Sequence, residues 1–344
     1  MRTDSLAKKL AIATISVVVA IGGSEWAARS LGDFEGNVDP LDAGDMGYFA
    51  EVRQYDPLLF WSLRPGGEGS NGLLKLNSFG LRGPEVSPAK GNEYRILSLG
   101  ESSTFAGRAP YKDCYSARLE KLLGRINGRK VRVINAGVPG YTLFQGYQYL
   151  IHRGLEFEPD AVLLYFGFND FLPVSYLANR TTKQGRGLND RELFELRKTS
   201  GRGTHDLLME KSHLYRALRW LLLDSEPRSE LPEGEIEVDE DQVRVPEEDR
   251  RWLLEEILRA CNTRGIQLIV CIPWYVKFED HAPLLAEFAT EHNLPLVDLP
   301  NLLRKTPFKP REEYFLDRVH PTGEGHGLIA EAIRDELLSY SQRR

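Results

Sequence analysis

A short polar turn directly after an apolar run holds the residue types in this sequence that are best suited to chemistry. Residues 95–99 are predicted to form a strand, and Gly100, Glu101 and Ser102 follow it directly. In α/β proteins, a strand that ends in glycine and then a hydroxyl side chain presents a nucleophile or holds an anion. The turn lacks the Gly-Lys-Ser/Thr ending of a P-loop, and Thr104 stands where a G-x-S-x-G nucleophile elbow has its second glycine. A purely structural strand-to-helix junction therefore stays open as an alternative.

Three further loops carry polar side chains and glycines at comparable places. They are residues 135–140 (N-A-G-V-P-G), 167–170 (G-F-N-D) and 317–321 (D-R-V-H-P). The first two follow predicted strands, so a parallel sheet would bring them to the same edge as the turn at Ser102. The last precedes the final predicted helix, where Pro321 suits the first turn.

Apolar segments rich in β-branched residues alternate with amphipathic segments from residue 95 onward. Strands are predicted at residues 95–99, 131–135, 161–166, 267–272 and 296–297, and helices at residues 115–126, 143–153, 247–263, 281–292 and 323–339. This alternation is typical of a parallel sheet that is covered by helices on both faces. The predicted fold class is therefore α/β, with a doubly wound, parallel, five-stranded sheet in a flavodoxin-like three-layer α/β/α sandwich.

Two parts of the chain do not follow this alternation: a long insert interrupts it, and an N-terminal extension precedes it. Residues 171–246 form an insert after the third strand, with a predicted helix at 214–223 and an acidic run that reads as a solvated loop. The insert could close over a site at the sheet edge or decorate its rim. Residues 30–90 are predicted to be a loop-rich N-terminal extension, and residues 91–344 the main domain.

The first 29 residues have the composition of a targeting segment. Lys8 and Lys9 precede an apolar run at residues 10–21. The run has the length and the basic flank of a signal-peptide core, or it is a short uncleaved membrane anchor with Trp26 at the interface. Either way the body of the chain would be exported, to a periplasmic or cell-surface location. A helix buried in a soluble core is the alternative.

Composition excludes some classes of protein. The 344 residues carry a net charge of −6, which argues against a nucleic-acid-binding protein. The three cysteines have no metal-ligand spacing, and Cys261 and Cys271 are expected to be buried core residues. The histidines outside residue 320 show no metal-binding pattern such as H-E-x-x-H.

The four loops, in this order, resemble the SGNH (GDSL-type) hydrolase superfamily. The resemblance covers residue 93 to the end without the insert, and it implies the SGNH hydrolase fold. Residues 77–83 (N-S-F-G-L-R-G) are similar to the N-terminal extension of membrane-anchored bacterial members. All four loops appear together, so the resemblance is more specific than a match to any single loop.

The resemblance assigns a role to five residues. Ser102 matches the nucleophile, His320 the base that takes its proton, and Asp317 the group that orients His320. The oxyanion hole would combine the backbone N–H groups of Ser102 and Gly140 with the side-chain amide of Asn169. One such donor is typically worth about 2.7–4 kcal/mol at the transition state.

Some positions depart from the family pattern or have a rival role. Glu101 stands where the GDSL name has Asp, and we expect little effect from this change. Ala106 lengthens the turn after the nucleophile by one residue. Ser103 is a rival nucleophile, but the family pattern selects the hydroxyl two residues after Gly100. Asp170 is expected to be structural.

Each loop also has a structural reading when it is considered alone. Ser102 could be a helix N-cap, which is a common use of serine. Asn169 could belong to a simple turn, Gly140 could serve a tight loop, and Asp317 with His320 could be a surface pair. Four coincidences in the family order would then be required, which favours catalysis.

The function predicted from the resemblance is that of an exported serine esterase that works through an acyl-enzyme. Its substrate would be a short acyl ester, such as an O-acetyl carbohydrate, and it would need no metal or organic cofactor. An O-acyltransferase that acts on envelope polysaccharide with the same triad is one alternative. A non-catalytic carbohydrate-binding or assembly protein is another. The sequence does not indicate the oligomeric state.

Overall fold

The computed structural model describes residues 2–30, 47–70, 72–87, 89–174, 187–199, 204–223, 242–276, 282–304 and 310–343. The strands are β1 Arg53–Asp56, β2 Phe60–Leu63, β3 Glu93–Gly100, β4 Arg125–Ile126, β5 Arg129–Gly137, β6 Ala161–Tyr165, β7 Gln267–Ile272 and β8 Leu296–Asp298. The helices are α1 Arg2–Ser30, α2 Ser102–Phe105, α3 Tyr115–Leu123, α4 Leu143–His152, α5 Asp190–Thr199, α6 Thr204–Lys211, α7 His213–Leu223, α8 Glu247–Asn262, α9 Ala282–Glu291, α10 Leu299–Leu303 and α11 Gly323–Arg343.

The main sheet has the strand order β4-β5-β3-β6-β7-β8. The five strands from β5 to β8 in this order are parallel, as predicted, and β3 lies between β5 and β6. Gly100 at the end of β3 is aligned with Gly137 of β5 and with Tyr165 of β6. The loops that follow these three strands therefore start side by side at one edge of the sheet.

Two apolar layers cover the faces of this sheet. Leu97 and Leu99 of β3 pack on one face with buried side chains of α4, α8 and α9. Ile96 points to the other face and packs with α3 and α11, as expected from the alternation of side chains along a strand. The predicted three-layer α/β/α sandwich is confirmed.

The helix predicted over residues 115–126 is three residues shorter in the structure. It ends at Leu123, and Arg125–Ile126 form the short edge strand β4, which pairs antiparallel with β5. The connection is the two-residue turn Asn127-Gly128, with φ values of +50° and +76°. Asn-Gly is the preferred sequence for such a hairpin because both positions need positive φ.

The N-terminal extension shares the core of the main domain. Its strands β1 and β2 form an antiparallel pair. Phe49, Phe60 and Trp61 are at most 1% exposed and belong to the same apolar cluster as Leu97. The extension is therefore packed against the layer that contains α4.

The N-terminal segment is helical and contacts the insert. The carboxylate of Glu25 in α1 accepts hydrogen bonds from the Ser212 hydroxyl and the His213 backbone, at 2.8 and 2.7 Å, at the start of α7. Helix α7 matches the helix predicted at 214–223, whereas the acidic run at 224–241 lies outside the described residues.

The exposure of α1 rules out one alternative for the N-terminal segment. Four side chains on its apolar run are more than half exposed, namely Val17, Val18, Val19 and Ile21. Helix α1 is therefore not buried in a soluble core. Among the described helices, none combines the length and the apolar character needed to span a membrane.

Candidate active site

Ser102, His320 and Asp317 form a continuous chain of hydrogen bonds. The Ser102 Oγ lies 2.8 Å from Nε2 of His320. The other ring nitrogen, Nδ1, lies 2.7 Å from Oδ2 and 2.9 Å from Oδ1 of Asp317. The structure thus brings together, across 218 positions of sequence, the three residues predicted to be the triad.

The strand-to-helix junction after β3 places Ser102 at this site. Ser102 is the first residue of the four-residue helix α2, and Glu101 occupies the N-cap position, so Ser102 is not a helix cap. Helix α2 ends at Phe105, and the next residue, Ala106, has a left-handed conformation with a φ of +55°. A Cβ on Gly137 would approach the Phe105 nitrogen to 2.4 Å, so the close packing of α2 on β5 requires glycine there.

The neighbouring hydroxyl has a different partner. Ser103 is 1% exposed, and its hydroxyl donates to the carbonyl of Val319 at 2.7 Å. Ser103 therefore attaches α2 to the loop of His320, whereas Ser102 bonds to the imidazole itself.

Asp317 is surrounded by donors. Its Oδ1 accepts from the backbone N–H groups of Val319 and His320, each at 2.9 Å, and its Oδ2 accepts from Arg108 at 2.8 Å. Partial burial opposes ionisation, but the bonds from His320 and these backbone groups outweigh it and hold the pKa of Asp317 well below its usual value. The carboxylate is therefore charged and can orient the imidazole.

The three predicted oxyanion donors differ in their surroundings. Among the described residues, none accepts a hydrogen bond from the backbone N–H of Ser102 or of Gly140. Gly140 has a φ of +78°, a conformation that favours glycine. The side-chain amide nitrogen of Asn169 instead donates to Glu101 at 2.6 Å and to the carbonyl of Tyr141 at 3.1 Å. Donation from Asn169 to a substrate oxygen would replace one of these two bonds.

Glu101 has more contact with the site than the sequence suggests. Its carboxyl is 1% exposed, bonds to Asn169 and accepts from the hydroxyl of Tyr275. Burial raises the pKa of Glu101 to about 8, and the charge of Asp170 acts in the same direction. The hydrogen bond from Tyr275 lowers this pKa but does not cancel the rise. The group is thus mostly neutral at pH 7. Sequence reasoning missed Tyr275, although its position shortly after β7 places it at the same sheet edge.

Asp170 bonds to the backbone at the start of α4, which follows the loop of Gly140. Its Oδ1 accepts from the backbone of Leu143 at 2.8 Å, at the start of α4. Burial raises the pKa of Asp170 to about 7 despite this bond. Thr142 is the N-cap of α4, and the bond from Leu143 to Asp170 adds a contact of the structural kind expected for Asp170.

A small cleft opens beside the triad. It encloses about 210 Å³ including open solvent, and Ser102, Arg108, Leu316 and His320 line it together with His326. Burial and the charges of nearby arginines lower the pKa of His326 to about 3, so its ring is neutral. In the part of the chain that the structure describes, no group of His, Cys, Asp or Glu side chains is arranged to hold a metal ion.

The sequence of residues 98–328 matches the model of the GDSL-like lipase/acylhydrolase family. The chain belongs to this family. The predicted membership in the SGNH (GDSL-type) hydrolases is therefore confirmed, and the chain is an ester-hydrolysing enzyme. No curated protein sequence matches it.

Solved structures of similar fold include several hydrolases. An α/β hydrolase enzyme from the metagenome of Lake Arreo, Spain, is 20% identical, with a TM-score of 0.44 over 72% of this chain and 95% of that one. An acetylxylan esterase from Geobacillus stearothermophilus is 17% identical, with a TM-score of 0.44 over 72% and 96%. A lipase/acylhydrolase from Enterococcus faecalis is 18% identical, with a TM-score of 0.42 over 71% and 94%.

Proposed function

We propose that this enzyme is a serine esterase in which Ser102 is the nucleophile, His320 the general base and Asp317 its orienting carboxylate. The observation that carries the proposal is the unbroken chain from Ser102 Oγ to His320 Nε2, at 2.8 Å, and from Nδ1 to Asp317, at 2.7 Å. These separations allow a proton to move from the hydroxyl to the imidazole as the serine attacks.

The proposed reaction has two halves. In the first, Ser102 attacks the ester carbonyl, His320 takes the serine proton, and the proton then passes to the leaving alcohol. In the second, His320 takes a proton from water, which attacks the acyl-enzyme, and the proton returns to Ser102. Negative charge on the carbonyl oxygen would be stabilised by the N–H groups of Ser102 and Gly140, with Asn169 as a third donor.

Short acyl esters are the proposed substrates. The small cleft at Ser102, which is lined by Leu316 and the polar Arg108, supports a short acyl group and a polar alcohol, such as an O-acetylated carbohydrate. The basic residues before the apolar run at 10–21 support export, with residues 1–29 as signal peptide or anchor and an extracytoplasmic site of action.

An O-acyltransferase is the second candidate, because the same triad would serve a sugar hydroxyl in place of water. Measurement of acyl transfer to added sugar, against release of free acid, separates the two activities. The non-catalytic binding protein considered from the sequence is not a candidate, because the chain belongs to a family of ester-hydrolysing enzymes.

Hydrolysis of p-nitrophenyl esters from acetate to octanoate by the full chain tests the proposal. We expect the fastest turnover with acetate, and a loss of at least about 10³-fold in Ser102→Ala. Ser103→Ala is the matched control, because it removes the adjacent hydroxyl and should retain labelling at Ser102 by a fluorophosphonate probe. Absence of both turnover and labelling in the folded parent enzyme would refute serine catalysis.

A further inference from the structure

The peptide unit between Pro139 and Gly140 is held by a residue from the N-terminal extension. The indole Nε1 of Trp61 donates to the carbonyl oxygen of Pro139 at 3.2 Å. The N–H of Gly140 belongs to the same planar trans unit, so it points opposite to that carbonyl. The bond to Trp61 on one side therefore helps to fix the direction of the Gly140 N–H on the other, within the turn that the Tyr141 N–H closes on the Val138 carbonyl at 3.2 Å.

Trp61 is itself rigidly placed. Its side chain is fully buried, and its backbone carbonyl accepts from the hydroxyl of Tyr141 at 2.7 Å. The rings of Trp61 and Tyr141 meet edge-on, with centroids 5.8 Å apart. A buried aromatic ring with few rotatable bonds is well suited to fix a neighbouring peptide.

The peptide on the other side of Gly140 is held as well. Arg244, close to the end of the insert, donates to the carbonyl of Gly140 at 2.8 Å, and its guanidinium lies 5.9 Å from the centroid of the Trp61 ring. Glycine has no Cβ and allows a wide range of backbone dihedral angles, so hydrogen bonds help to fix the peptides on its two sides. Here the extension and the insert each bond one of them.

We propose that Trp61 is a positioning residue for oxyanion stabilisation, because its indole N–H holds the Pro139 carbonyl and so directs the Gly140 N–H at the reacting ester oxygen. The proposal rests on the proposed function of Ser102 and Gly140. A bond to the carbonyl also polarises the unit and makes the Gly140 N–H a stronger donor. The N-terminal extension thus contributes to catalysis in addition to covering the sheet.

The test removes the indole N–H at position 61 and keeps an aromatic ring there. We compare the full chain with Trp61→Phe and with a chain that carries 3-benzothienylalanine at position 61, which has the shape of tryptophan without the N–H. Trp252→Phe is the matched control, since Trp252 lies on α8 and packs against Tyr147 with ring centroids 5.8 Å apart. Each kcat is divided by the number of sites that a fluorophosphonate labels, so that loss of folded enzyme does not count.

Removal of a complete oxyanion donor lowers kcat by about 10²–10³-fold. We expect a smaller fall of about 10-fold in kcat per labelled site for both variants at position 61, because the donor stays but loses its fixed direction. The KM should stay within about twofold, and affinity for phenylboronic acid, which forms a tetrahedral adduct with serine, should fall in proportion to kcat. Trp252→Phe should change none of these values.

The outcomes separate this proposal from the proposed function. An unchanged kcat per labelled site with benzothienylalanine, or a fall equal to that of Trp252→Phe, would overturn the role of Trp61 and leave the triad untouched. Lack of labelling and of turnover in the parent would instead refute the triad.

Discussion

The buried ion pair of Arg244 and Asp190 connects the insert to the loop of Gly140. The two side chains are 1% and 0% exposed, and their closest atoms, Nη2 and Oδ2, are 3.0 Å apart. The same Oδ2 accepts from the Thr142 hydroxyl at 2.7 Å, next to the Gly140 loop. Asp190→Asn keeps the shape of this group and removes its charge, which leaves the buried guanidinium beside a neutral amide.

The expected loss of stability follows from this burial. Removal of one partner from a buried ion pair costs about 3–5 kcal/mol, since the remaining charge cannot return to water. The exposed pair of Arg251 and Glu287, with N–O 3.3 Å apart and side chains 41% and 61% exposed, is the control. Glu287→Gln should cost less than about 1 kcal/mol, because water screens the exposed charges.

Urea unfolding followed by tryptophan fluorescence measures both variants against the parent, and kcat per labelled site measures the effect on catalysis. The double variant Asp190→Leu/Arg244→Met should recover most of the stability, because neither charge of this pair is left buried. It should still have a lowered kcat, since the Gly140 carbonyl has lost its donor. If Asp190→Asn cost no more stability than Glu287→Gln, the energetic reasoning about this pair would be wrong.

Three other predictions concern pH and packing. Glu101 becomes charged beside Asn169 as the pH rises through about 8, and this negative charge opposes the oxyanion. We expect kcat to fall there and Glu101→Gln to remove the fall; an identical alkaline limb in the variant would exclude Glu101 as its source. His326 has its pKa lowered from 6.5 to about 3, so protons bind the unfolded chain first, and stability is lost as the pH falls below the unfolded value. Between pH 7 and pH 5 this group alone should cost about 2 kcal/mol, measured in urea titrations as the difference between the parent and His326→Leu, because the raised pKa values of Glu101 and Asp170 act in the opposite direction in both chains. Gly137→Ala should remove most fluorophosphonate labelling, because its Cβ would meet the backbone of α2 at 2.4 Å, whereas Gly323→Ala, whose Cβ would have 3.5 Å to its nearest neighbour, should label normally.

The elements of the fold could be predicted from the sequence because they depend on local pattern. A strand was predicted at 267–272, and β7 has these bounds. Its residues after the first are all buried, which is the pattern of a strand covered on both faces. The early end of α3 also has a local cause, since the Asn127-Gly128 sequence favours a hairpin turn directly after residue 126.

The order of the four loops was sufficient to predict which family the chain belongs to and which residues to test as the triad. The rule that parallel strands end at one edge brings the turns after β3, β5 and β6 together without knowledge of any side-chain contact. The resemblance then supplied the pairing with the loop at Asp317 and His320, which no local pattern could provide.

The tertiary structure alone determines what holds these groups in place. Trp61 reaches Pro139 across 78 positions, Arg244 reaches Gly140 across 104, and Tyr275 reaches Glu101 across 174. Periodicity and turn chemistry act over a few residues, so they specify each strand and helix but not which buried side chain will meet which backbone group. Those contacts depend on the packing of the extension and the insert against the sheet, and this packing gives the Gly140 peptide its direction and the Glu101 carboxyl its raised pKa.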